Sequence, residues 1–305
     1  MNTETTAISR AETKTDLNFG TWGWAMVIFS MVMYFNVAGW CADGLNIFIT
    51  AFGERHGWDP SKLLALATPG GLIGVVGSII FGQIIMKKGT RFVITLCLAF
   101  AALSIIWFGR ITTLPEFAIA FALINFFAIG FFIAPNVLIT SWFPSKKGFV
   151  LGITTIGLPA ATALFVPLIA FMFSAFGIPT ATTIYGIIMI VLAVIAFFLV
   201  KDFPEQVGCF PDNERIPDEK IQQNLKEMES YVSPFTLKIL LKDREMWLIS
   251  LGFGCLWMVT VGIVVQMVPR LMEIGFEQNK AIIFLSLAAL CAVPGSLLWG
   301  WLDQK

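Results

Sequence analysis

GFVLGITTIGLPAATALFVPLIAFMFSAFGIPTATTIYGIIMIVLAVIAFFLV, residues 148–200, contains no Asp, Glu, Lys or Arg across 53 positions. A helix crosses a bilayer with about 20 apolar residues, so the run is long enough for two crossings. Gly177 and Pro179 mark the turn between them, since glycine accepts unusual backbone and proline cannot continue a helix from the preceding crossing. The stretch therefore reads as two adjoining transmembrane helices, and the fold class as an all-α polytopic membrane protein.

The rest of the chain agrees. Of 305 residues, 57% are hydrophobic and 13% charged, and the mean hydropathy is +0.81. Soluble domains sit near 45–50% apolar and about 25% charged. Charge-poor runs predict eight helices, at 21–51, 62–86, 92–110, 116–141, 148–175, 180–200, 246–270 and 281–302. The domains that follow are a polar tail over 1–20, a six-helix bundle over 21–200, a polar loop over 201–245 and a further helix pair over 246–305. The tail, MNTETTAISRAETKTDLNFG, mixes charges and lacks the pattern of a cleaved signal peptide. Within the loop, Ile221, Leu225 and Met228 fall at helical spacing. Ser233-Pro234 then reads as a cap and first turn, followed by an interfacial helix carrying Leu237, Leu240 and Leu241 on one face.

Orientation follows from Lys and Arg. With the N-terminus inside, fifteen basic residues fall on inner segments and five on outer turns. Without the seven in the long loop, the balance is still eight against five. Lys87, Lys88 and Arg91 form the strongest local anchor. The expected location is a cell (inner) membrane, with a cytoplasmic N-terminus and loop.

Several functions are excluded by what is missing. No GxxxxGK[ST] motif is present for ATP-driven pumping. No HExxH or paired intramembrane aspartates provide an enzyme's nucleophile, base or metal. The five cysteines show no metal-ligand spacing; Cys41, Cys97, Cys255 and Cys291 lie in apolar spans and read as small buried hydrophobes. The expectation is no enzyme, no cofactor and no nucleic-acid partner. The partners are the lipid bilayer, a small-molecule substrate and protons.

A shift of 218 positions superposes two parts of the chain. Gly57-Trp58-Asp59 falls on Gly275-Phe276-Glu277, Lys62 on Lys280, Gly77-Ser78 on Gly295-Ser296, Gly82 on Gly300 and Gly44 on Gly262. Helices one and two are thus expected to recur as seven and eight. Internal repeats around a long loop are the mark of secondary transporters. The same offset would put the end of a twelfth helix near residue 418, and PGSLLWGWLDQK (294–305) stops within a motif. The expected chain is therefore C-terminally incomplete, with a transport-inactive fragment lacking four helices as the alternative.

The motifs resemble those of the major facilitator superfamily, in particular the oxalate/formate antiporters and monocarboxylate porters. Gly20-Thr21-Trp22-Gly23-Trp24 is similar to the DGGWGW-type opening of the first helix in the porters, with Phe19 in the acidic position. GQIIMKKGTR (82–91) is similar to GxLaDrxGxR, with Met86 at the acid. SWFPSKKGFVLGI (141–153) resembles WFPxxRGxxxGI, and DFPEQVGCFPDN (202–213) resembles the start of that branch's central loop. The resemblance implies alternating access for a small organic anion such as a mono- or dicarboxylate, by exchange or proton coupling. It assigns Gly82, Lys87, Lys88, Gly89, Arg91, Gly300 and Asp303 to a cytoplasmic clasp that favours one access state. The bare alternative for the basic cluster is a topology anchor.

An ionisable group inside a span is a functional candidate. Asp43 in helix one is the clearest, flanked at helical spacing by Trp40 and Asn46; it is placed to carry a proton, hold a basic partner or sit at the water interface. Asn125 and Asn136 in helix four and Gln266 in helix seven complete the polar set, and Arg270 ends helix seven. Relatives in the resembled branch meet their anion with basic residues on helices eight and eleven. Helix eight here has no Lys or Arg between Lys280 and Lys305, so Arg270 is the nearest cation.

Overall fold

The computed structural model describes residues 19–213, 239 and 241–302. Seven of its helical segments are long and apolar enough to cross a membrane. One of them, Pro60–Phe108, has 49 residues. At 1.5 Å per residue that is about 74 Å, more than twice the roughly 30 Å of bilayer hydrocarbon. Its backbone leaves helical geometry at Gly89 (φ 84, ψ 169), so it comprises two crossings, as expected from 62–86 and 92–110.

The first crossing is α1 (Gly20–Ala38), a π-helical turn over Gly39–Asp43, and α2 (Leu45–His56). It runs five residues past the expected end because Glu54 and Arg55 ride on the exposed helix end beyond the apolar run. Next come α3 (Pro60–Phe108), α4 (Leu114–Ala128) and α5 (Gly130–Trp142). Asp59 caps α3 with Pro60 in the first turn, and Thr113 with Glu116 forms a capping box on α4. Pro135 lies inside α5, where it removes one backbone bond a turn after the break from α4.

The charge-free run gives two crossings, as read. The first is α6 (Lys147–Thr154), α7 (Gly157–Ala160), a second π-helical turn over Ala161–Phe165, and α8 (Val166–Phe176). Gly177 turns the chain at φ 76 into α9 (Ile178–Leu199). Glycine and proline at 152, 157, 159 and 167 account for the segmentation. Last come α10 (Arg244–Glu273) and α11 (Gln278–Leu302). The turns after α2 and before α11 both pivot on left-handed glycines, Gly57 (φ 68) and Gly275 (φ 98), which are the pair matched by the 218-residue offset.

Six helices pack as a bundle around interlocked rings of Phe48, Phe52, Phe108, Phe117 and Phe121. Gly70, Gly74 and Gly77 of α3 face α4, while Gly71 faces open space. The helix pair α10–α11 seats against this bundle, α10 on α2 and the Gly39–Asp43 turn, α11 on α6, α7 and the Ala161–Phe165 turn. Cys97 is buried, but Cys255 and Cys291 are exposed on α10 and α11, and all five cysteines are free. The expectation of burial fails for those two because their helices present most of their surface outward. The helical spacing at Ile221, Leu225 and Met228 lies outside the described residues, and so does most of the interfacial helix read after Ser233-Pro234.

Candidate functional site

The first crossing makes three polar links to its neighbours. Thr162 Oγ1 donates to Asp43 Oδ2 at 2.6 Å, joining the two π-helical turns. The Tyr185 hydroxyl of α9 donates to Asn36 Oδ1 at 2.8 Å, and Tyr34 stands near enough to Asn136 of α5 to interact. Asp43 is 7% exposed and Asn36 2%. A π-helical turn holds one extra residue, which breaks the regular register and turns side chains toward a neighbour. Close approach is allowed by Gly39, where a Cβ would stand 2.6 Å from the Phe165 ring. Among the described residues Asp43 has no ion-pair partner; the two ion pairs are Arg270–Glu273 and Lys280–Glu277.

Trp40, one helical turn before Asp43, stacks on Phe48 at 5.0 Å and meets Phe165 and Tyr185 edge-on. Its indole N–H is buried without a hydrogen bond of good geometry, although the Tyr185 hydroxyl is near enough to interact. Asn136 donates to Phe132 O and Asn125 to Phe121 O, each within its own helix. Asn125 also borders a crevice of about 220 Å³ with Cys41, Gly71, Gly74 and Ser78. Asn46 is half-buried, and its backbone oxygen accepts from Thr50.

The other two candidates sit apart. Gln266 is exposed on α10. Arg270 is exposed and pairs with Glu273 at 2.7 Å. The structure thus brings Asp43, Trp40 and the helix-four asparagines around helix one, and leaves the expected cation outside. What the sequence reading missed is Thr162, Tyr185, Asn36 and Tyr34. The chain has only three tyrosines, so Tyr34 and Tyr185 in apolar spans were a usable signal. Thr162 had none, being one of many hydroxyls in the charge-free run.

A larger cavity, about 780 Å³, lies just beyond the Asp43–Thr162 pair. Ile47, Thr50 and Glu54 continue the Asp43 face of the first crossing along it, and Pro167, Ala170 and Ser174 continue the Thr162 side. Gln278 and Ile282 of α11 close the far wall. At the other end α11 meets α6 without a gap: a Cβ on Gly300 would stand 3.0 Å from Gly152 Cα and 3.2 Å from Gly148 O. The molecule is therefore sealed between α6 and α11 at the end bearing Lys87 and Lys88, and hollow at the opposite end.

That sealed end carries the predicted clasp. Gly89 turns the chain with positive φ, and a Cβ there would collide with the Asp202 carboxylate. Asp202 accepts from Thr90 Oγ1 and from the Arg91 backbone N–H at 2.9 Å. Asp212 does the same for the next loop, accepting from Ser145 and Lys146 N–H at 3.0 and 3.2 Å. Trp142 Nε1 donates to Lys201 O at 2.8 Å. The segment 201–213 thus straps both loops with carboxylates. Met86, in the acidic position of the resembled motif, is 87% exposed; the acid at this loop comes instead from Asp202. A Cβ on Gly82 would meet nothing within 4 Å, and Asp303 lies outside the described residues.

A helical membrane bundle closed between α6 and α11 at one end and holding a cavity at the other suits the passage of a solute. The family model of the Major Facilitator Superfamily matches residues 28–305, so the chain belongs to that superfamily of secondary transporters. A crystal structure of a D-xylose-proton symporter shares the fold, with a TM-score of 0.57 and 12% sequence identity over 91% of this chain and 68% of that one. No curated protein matches the chain.

Proposed function

We propose that the protein carries a small organic anion together with protons, by alternating access, with Asp43 as the proton-binding group. The single observation behind this is the Asp43–Thr162 link: a buried carboxyl joins two π-helical turns, with no cation beside it among the described residues. Such a group is neutralised most cheaply by a proton. An anionic carboxylate at Asp43 would repel an anionic substrate in the adjoining cavity, so proton binding becomes the condition for substrate binding. The branch-like motifs at 82–91, 141–153 and 202–213 supply the substrate class, a mono- or dicarboxylate. Exchange of one anion for another is then a partial reaction that needs no release of the proton.

In this reading the 780 Å³ cavity is the outward vestibule, and the strapped, basic end is cytoplasmic in a cell membrane. Residues 21–200 would form the first bundle, 201–245 the central loop, and 246–305 the helix pair that opens the second bundle. Trp40, Asn46, Asn125 and Asn136 line the path, and Gly82, Lys87, Lys88, Gly89, Arg91 and Gly300 work the inner gate. Gln266 and Arg270 would reach the path only in another access state. The test is uptake of labelled formate, oxalate or lactate into proteoliposomes. Asp43→Asn is expected to cut pH-gradient-driven uptake by about tenfold or more while leaving exchange within about twofold. Unchanged gradient-driven uptake in Asp43→Asn defeats the proposal.

A further inference from the structure

Two cations at the sealed end stand over aromatic rings that face outward from the bundle. Lys88 Nζ lies 4.6 Å from the Phe92 ring centroid, and Arg91 Cζ lies 4.6 Å from that of Phe197. Both rings are exposed, Phe92 by 40% and Phe197 by 47%, and Phe198 beside them by 67%. They belong to α3 and α9, which pack together, so both pairs share one side of the bundle. Exposed rings on membrane-crossing helices face lipid. Cations held directly over them sit where hydrocarbon gives way to headgroups.

Among the described residues no carboxylate forms an ion pair with these charges. Asp202, which reaches this loop, is turned to Thr90 and the Arg91 backbone N–H, not to a cationic side chain. Asp212 is likewise spent on backbone N–H groups. Among the described residues both ion pairs lie at the opposite end. Lys87, adjacent and exposed, adds a third positive charge with no ion pair among the described residues. A guanidinium and an ammonium above apolar rings match a phosphodiester joined to acyl chains: the cations meet the phosphate and the rings meet the chains.

We propose that Lys88 and Arg91, with Phe92 and Phe197, bind the headgroup of an anionic phospholipid at the α3–α9 face. The purified protein would be equilibrated with equal amounts of phosphatidylglycerol and phosphatidylcholine in mixed micelles, then delipidated and the retained lipid weighed by mass spectrometry. Retention favouring phosphatidylglycerol by about threefold or more is expected. The double variant Lys88→Gln, Arg91→Gln should fall to the bulk ratio. Lys62→Gln, at the opposite end, should keep the preference, and so should the charge-conserving pair Lys88→Arg, Arg91→Lys. Equal retention by the unaltered protein, or a preference that survives the double glutamine variant, overturns the site. So does displacement by free glycerol phosphate at equal concentration, which would mark a phosphate site and not a lipid one.

Discussion

Asp43 was legible in the sequence because charge within an apolar span is costly and so conspicuous. Its partner was not, because a threonine costs little in a membrane helix and Thr162 lies 119 positions away. The same limit hid Asp202: as the second charge after the uncharged run it looked like ordinary loop, yet it supplies the carboxylate that Met86 cannot. Gly89→Ala forces a Cβ into a positive-φ position already filled by Asp202. It should cost about 1–3 kcal/mol, measured as a drop in thermal unfolding temperature in detergent. Asp202→Ala should cost a similar amount by leaving the Arg91 N–H unpaired, and the two together should cost less than their sum. His56 offers a pH test. Burial holds its imidazole below the ordinary histidine range, and the neighbouring Arg55 adds to this. The unfolded chain then takes up a proton that the folded chain refuses. The contribution of His56 to stability is complete above the ordinary value, roughly pH 6.5, and is lost as pH falls below it. Lying nearly parallel to the rings of both Phe52 and Trp58, it should accept His56→Phe, and that variant should unfold with a shallower acid limb than the parent.

At the scale of elements, the charge-poor runs placed every crossing to within a few residues, because hydropathy over about 20 positions is a strong signal. The irregularities inside crossings were another matter. Neither the break of the fifth crossing at Gly157–Phe165 nor the π-helical turn at Gly39–Asp43 was read from the sequence, since such turns are stabilised by packing across helices. The repeat located Gly300 opposite Gly82, and the structure shows what Gly300 touches: Gly152 and Gly148 of α6. Gly300→Val would drive a branched side chain into that backbone, costing about 1–3 kcal/mol as overpacking does. The helices should part at the sealed end. A cysteine placed at Ser296 should then react faster with a membrane-impermeant maleimide in Gly300→Val than in the parent background; equal rates would show that the glycine contact does not hold the seal.

Across the whole molecule, the family and bundle were readable because order and spacing of several weak motifs constrain each other, as the match over residues 28–305 bears out. The substrate was not, since recognition depends on side chains brought together from separate crossings. Arg270 illustrates this: it was singled out as the nearest cation because helix eight has none, and in the fold it pairs with Glu273. The central claim is that anion and proton move together through the Asp43 region. It is tested most directly by adding lactate, formate or oxalate outside proteoliposomes with no initial pH gradient and following an internal pH-sensitive dye. The account predicts internal acidification in step with anion entry, abolished by Asp43→Asn. Anion entry without a change in internal pH would contradict it.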